Sequence, residues 1–375
     1  MDTQYRKTGG TRAVLAGSVV ALALQALPVS ARTLGLVADN GTASVTVFDA
    51  DTDTVLGSLD INTAGLAIGD VLVTPDQTRG FVTNFNSEVV VIDLTASPPR
   101  LAQGTNPIPI ANNGEDLALS CDGKFLLVSD GLFTQPVSVV DIAKQTETST
   151  RSVGTDTNSV EVCGDGSVLV TSSADATVRR FILGDDGILL DTGDSLSLGF
   201  AEPNNVLCAR GSKSGLVVSR GAAELTLFTV PGLERIDMRA LSGTSSGISG
   251  AIDMSGERVF LRSNGESSVD LGFVDVFAYD AETATLGAEP DNSIAISNAP
   301  EFYGMDQMAV HPNKPKLYVP QPGGLRVYDA DTKALLTTIS DPHIVQPTGV
   351  AVATDFCAAE TSDETVAEDE SPDVP

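Results

Sequence analysis

VLVTPDQTRGFVTNFNSEVVVIDL, residues Val71–Leu94, decides how this chain folds. Val71, Val73 and their neighbours form a short apolar run that ends at Pro75-Asp76. There proline fixes φ and aspartate bonds its own downstream backbone, which is turn chemistry. Gly80 resets the backbone before Phe81-Val82-Thr83, a second β-branched and aromatic run. Asn84-Phe85-Asn86-Ser87 turns the chain again, and Val89-Val90-Val91-Ile92 makes a third strand that ends at Asp93. Short strands joined by tight turns predict an antiparallel meander. The apolar runs are too continuous for a sheet with one wet face, so both faces are expected to be covered.

The same pattern returns at Leu117–Ile142, Val160–Leu183, Val206–Val230, Ala251–Asp280 and Met308–Asp329. Aligned third-strand ends fall at Asp93, Asp141, Ile182, Thr229, Asp280 and Asp329, which are 48, 41, 47, 51 and 49 residues apart. A period of about 40–50 residues with about four strands per unit points to a β-propeller. The stretch Leu34–Ile61 matches strands two to four of a unit without strand one, and an orphan strand stands at the other end, Pro347–Ala353. Six whole units plus one assembled from both termini predict seven blades. The fold class is therefore all-β: a seven-bladed propeller of four-stranded antiparallel blades, closed by pairing of the terminal strands, which leaves no open edge.

Phe81-Val82-Thr83-Asn84 followed by Val89-Val90-Val91-Ile92-Asp93 resembles the YVTN-type repeat of bacterial seven-bladed propellers, which are grouped with lactonase-type propellers. The resemblance is close in the first blade, recognisable in the second, sixth and seventh, and degenerate in the third to fifth. It covers about residues 34–353. It implies a fold, and a lactonase-like activity only by association.

Arg6, Lys7 and Arg12 precede an apolar run, Ala13–Leu27, and Val29-Ser30-Ala31 fits a small-x-small cleavage site. Residues 1–31 read as a secretory signal; the run is shorter than the roughly 20 residues a membrane span needs. Residues 32–357 are expected to form the propeller, and 358–375, with seven acidic side chains and no basic one, an acidic disordered tail. Export to the periplasm or beyond makes Cys121, Cys163, Cys208 and Cys357 candidates for disulfides. Cys163 and Cys208 sit on the first strands of neighbouring blades and are placed to bond, with buried free thiols as the alternative. No CxxC pair suggests zinc, haem or dithiol chemistry. A formal net charge of −28 disfavours nucleic acid and anionic membranes as partners.

A catalytic constellation is hard to build. Of the two histidines, His311 stands where the first blade has a turn residue, and His343 lies in the connection to the closing strand. No nucleophile elbow or phosphate loop stands out. Asp49-Ala50-Asp51-Thr52-Asp53 with Asp60 imitates a calcium loop, but Thr54 replaces the required glycine and the motif reads as a hairpin. What remains is positional. Loops leading into strand one and loops between strands two and three emerge on one face, where propellers bind ligands. The first set offers Asp70, Glu115, Asp116, Asn158, Glu202, Asn204, Asn205, Asp306, Gln307 and Thr348. The second offers Asn40, Asn84, Asp130, Ser173, Arg220, Asn264 and Gln321, with Arg262 nearby. From these, Asp70, Asp116, Asn158, Glu202, Asn204, Asn205, Asp306, Gln307, Asn84, Asp130, Arg220 and Asn264 are taken as the candidate ligand-binding ring. Converging carboxylates suit a cation such as Ca²⁺, or proton sharing in lactone hydrolysis. The expected function is an exported, monomeric binding or scaffold protein for a protein, glycan or small ligand; the alternative is a lactonase-like hydrolase. No cofactor beyond Ca²⁺ is suggested, and no catalytic residue transfers from the resemblance.

Overall fold

A computed structural model describes residues 32–61, 67–131, 136–199, 201–208, 211, 213–244, 246–265, 271–288, 290, 292–297, 307–355 and 357. The chain divides into two units, Met1–Arg32 and Thr33–Pro375, and the strands among the described residues belong to the second. Both the signal segment and the tail expected from sequence, and the candidate Asp306, lie outside the described residues.

Seven antiparallel sheets form the blades of a β-propeller. In the first blade Ile68–Val73, Arg79–Asn84 and Glu88–Asp93 follow one another as strands one to three, as the sequence of Val71–Leu94 predicts. Strand four is broken into Arg100–Leu101 and Ile108–Pro109. The Asn106 side chain fills the gap in the ladder, donating to Val91 O at 2.7 Å and accepting from Val91 N at 3.0 Å. The seventh blade is built from both ends of the chain, with the closing strand Pro347–Val352 paired to Leu34–Asp39.

The continuous apolar runs have a simple cause. In strand three of the first blade, Val90 and Ile92 pack in the interface with the seventh blade, whereas Val89 and Val91 pack in the interface with the second. Alternate side chains thus serve opposite interfaces, so every position must be apolar. Seven core clusters are found among the described residues, each straddling two neighbouring blades. One of them joins the sixth to the seventh through Tyr318, Phe48 and Val350, so the ring is closed. Where a phenylalanine lies flat over the neighbouring strand, glycine makes room: a Cβ on Gly35 would stand 2.2 Å from the Phe48 ring.

The hairpins between strands three and four explain the calcium-like motif. Asp49 Oδ1 accepts from the backbone N–H of Asp51 and Thr52, and Asp329 Oδ1 does the same for Asp331 and Thr332. The leading aspartate is spent on its own turn. Two disulfides are present: Cys163–Cys208, between neighbouring first strands, and Cys121–Cys357, which ties the chain beyond the closing strand to the second blade.

Candidate functional site

The first strands run side by side around the axis, and in blades one to four a polar residue at or near the start of each has a common task. Leu117 N donates to Asp70 Oδ2 at 3.3 Å, Val160 N to Asp116 Oδ2 at 3.0 Å, Val206 N to Ser159 Oγ at 3.2 Å, and Gly250 N to Asn205 Oδ1 at 3.0 Å. Each polar side chain therefore satisfies a backbone N–H of the next blade, stitching blades one to five into a belt. Asp70, Asp116 and Asn205 are buried and turned along the seams rather than toward solvent. From the sixth blade, Gln307 Nε2 reaches Asp116 Oδ1 at 2.6 Å, joining nearly opposite sides of the ring and roofing the channel.

Asp70 and Asp116 do come together. Asp116 accepts from Leu117 N, Gln307 Nε2, Ser159 Oγ and Val160 N, so it has the donors an ionised carboxylate needs. Burial, and then the Asp116 charge, push Asp70 well above the usual carboxylate range. Burial raises Asp116 too, against the pull of Ser159 and the backbone N–H groups. The pair is best described as a buried dyad with the proton on Asp70 and the charge on Asp116. With all its lone pairs engaged, Asp116 is a structural anion and a poor general base.

Above the roof lies a different group. Asn158 Nδ2 donates to Asn204 Oδ1 at 3.1 Å, Arg220 Nη2 donates to the same oxygen at 2.9 Å, and Asn204 Nδ2 donates to Ile248 O at 2.6 Å. This chain of bonds spans blades three to five and fixes the exposed Arg220 guanidinium on the loop face. Glu115, close enough to feel the charge of Arg220, is buried against Gly131. Burial raises its pKa to about 8, with Arg220 opposing the shift and Asp116, Asp130 and Asp156 adding to it.

Other candidates serve the loops themselves. Asn84 Oδ1 accepts from Asn86 N, and Asp130 Oδ1 accepts from Asn113 N. Asn264 is buried at the end of its strand, Arg262 is fully buried, and Glu202 is exposed with its carbonyl bonded to Arg220 N. His311 Nδ1 accepts from Asn313 N, as a turn residue should, and His343 pairs with Asp341 at 2.8 Å.

One channel-facing residue escaped the sequence reading. The middle of each first strand faces the channel, at Leu72, Ala118, Glu161, Leu207, Ala251, Ala309 and Ala351. Six are apolar and one is a glutamate. Burial, then the charge of Asp116, raise Glu161 to about 8. The signal was present as an acid between Val160 and Val162, and only the alignment of first strands gives it meaning.

No family model matches the chain and no curated protein matches its sequence. Solved structures do match. A protein of unknown function from Desulfotomaculum acetoxidans superposes with a TM-score of 0.71 at 21% identity, over 85% of this chain and 98% of that one. A candidate 6-phosphogluconolactonase from Bacteroides fragilis gives 0.70 at 13% identity, over 87% and 99%. A periplasmic gluconolactonase from Pseudomonas aeruginosa gives 0.65 at 14% identity, over 86% and 99%. The fold these structures share with this chain is the seven-bladed β-propeller. At such identities the likeness establishes the architecture, and chemistry must be argued from the site.

Proposed function

We propose that this chain is an exported binding protein that holds a small polyhydroxylated anion, of the aldonate class, on the loop face around Arg220. One observation carries the reading: a guanidinium held by Asn204, itself held by Asn158 and Ile248 O, on a chain of net charge −28. A fixed fork of donors suits a carboxylate, and amide side chains suit hydroxyl groups. The disulfides and the leader-like N-terminus support export. Titration calorimetry with D-gluconate tests this. Binding is expected, with at least a tenfold loss in Arg220→Gln and Asn204→Ala. Absence of heat and of any melting shift at millimolar gluconate would sink it.

A second reading is hydrolysis of the corresponding lactone. It is favoured by Glu115, whose pKa of about 8 leaves it a proton donor at neutral pH, and by the lactonases that share the fold. NMR of glucono-1,5-lactone opening decides: catalysis above the spontaneous rate, abolished in Glu115→Gln, would favour this reading over simple binding.

A further inference from the structure

Beneath the Asp116–Gln307 roof the channel opens into a cavity of about 1030 Å³, at the upper end of the range of small-ligand sites. It is a separate place from the loop face, and its chemistry is independent of what Arg220 binds. Its wall is made by the middle residues of the first strands. At this level the four alanines Ala118, Ala251, Ala309 and Ala351 keep the bore wide, Leu72 and Leu207 make it greasy, and Glu161 is the charged residue; toward the mouth away from the roof the lining also takes in Arg79, Lys124 and Lys144 with several aspartates.

A lone carboxyl in an apolar bore calls for an explanation. No cation among the described residues offsets Glu161; the neighbouring charge it feels is another carboxylate, Asp116. Overhead, the buried Asp70 adds a second acid to the cavity wall. A metal ion is a poor match, since no group of three or more ligating side chains occurs among the described residues. The complementary occupant is monovalent, positive at one end and apolar over the rest.

We infer that the channel is a binding site for a small apolar amine, its ammonium group paired with Glu161 and its hydrocarbon body against Leu72, Leu207 and the alanine wall. Once Glu161 has lost its proton, desolvated pairing of this kind rewards a cation and rejects a neutral molecule of equal shape, because only the cation neutralises the buried carboxylate.

The test uses the oxidised full-length mature protein and two probes of nearly equal shape, 2-phenylethylamine and 2-phenylethanol, titrated at pH 9, where Glu161 is ionised. The amine is expected to bind at least tenfold more tightly than the alcohol. Glu161→Gln is expected to reduce amine affinity at least tenfold and leave alcohol affinity within twofold. Ala309→Phe, which fills the bore, is expected to abolish both, with the melting temperature of each variant confirming a folded ring. Equal binding of amine and alcohol, an unchanged amine affinity in Glu161→Gln, or no binding of either probe to the folded wild type would each overturn the inference.

Discussion

Asp70 and Asp116 look interchangeable in the sequence, two aspartates at the same place in successive blades. Their surroundings make them opposites. Asp116 is charged and saturated by donors, whereas Asp70 is held protonated beside it. Asp70→Asn therefore replaces an O–H by an N–H donor and is expected to leave the melting temperature at pH 8 unchanged or higher. Asp116→Asn turns one of its two acceptor oxygens into a donor, takes the acceptor from two of its four donors, and is expected to cost about 2–4 kcal/mol. Chemical denaturation of both variants checks this, and equal losses would show that the proton is not on Asp70. A pH dependence follows as well. An acid whose pKa is higher folded than unfolded stabilises below its unfolded value and loses that contribution as pH rises through the folded one. For Glu115 and Glu161 this window runs from the ordinary 4.5 to about 8, so the wild type is expected to melt several degrees lower at pH 8 than at pH 5. That Asp70, Glu115 and Asp116 lead into first strands was legible from the repeats. Which way they face was not, because a polar residue leading into a strand reads the same whether it points at solvent or along a seam.

At the scale of the element, the blades are latched on the side away from the belt. Strand two begins with a cation in several blades, and that cation reaches the carbonyl just past strand three of the next. Arg79 Nη1 donates to Ile142 O, Arg258 Nη1 to Ala330 O, and Lys316 Nζ to Ala50 O, at 3.1, 2.8 and 2.9 Å. Lys316 is also paired with Asp53 at 2.7 Å and is largely shielded from water, where a charge-assisted bond is strong. Lys316→Met keeps the aliphatic stem and removes the latch, and is expected to lower stability by about 1–3 kcal/mol in urea denaturation. Lys124, one residue before strand two of the second blade, pairs with the Asp122 of its own turn, and Lys124→Met is expected to leave the midpoint unchanged. A similar response from the two variants would show that the latch adds nothing. The basic residues were visible in the repeats, but their partners belong to a neighbouring repeat, and a period alone does not say which backbone atom comes within reach.

For the whole molecule the question is what keeps a ring of similar units shut. The closing strand was legible because one blade lacked its first strand and a spare one stood at the far end. The Cys163–Cys208 bond was legible only in part: first strands of adjacent blades bring the two cysteines close, but buried free thiols fitted the sequence as well. Cys121–Cys357 was not, since it joins the second blade to a segment that arrives there only after the ring has closed. That bond spans 236 residues against 45 for the other. In the chain-entropy account, a longer loop restricts the unfolded chain more, by about 5 kcal/mol for the first and about 4 for the second. Replacing both Cys121 and Cys357 by serine is therefore expected to destabilise at least as much as replacing Cys163 and Cys208, although the former pair ties down only the chain beyond the closing strand. Denaturation of the two double variants decides, after non-reducing peptide mapping has confirmed the pairing. If the Cys121/Cys357 variant keeps wild-type stability, the terminal strand and the apolar seam around Tyr318 and Phe48 close the propeller unaided.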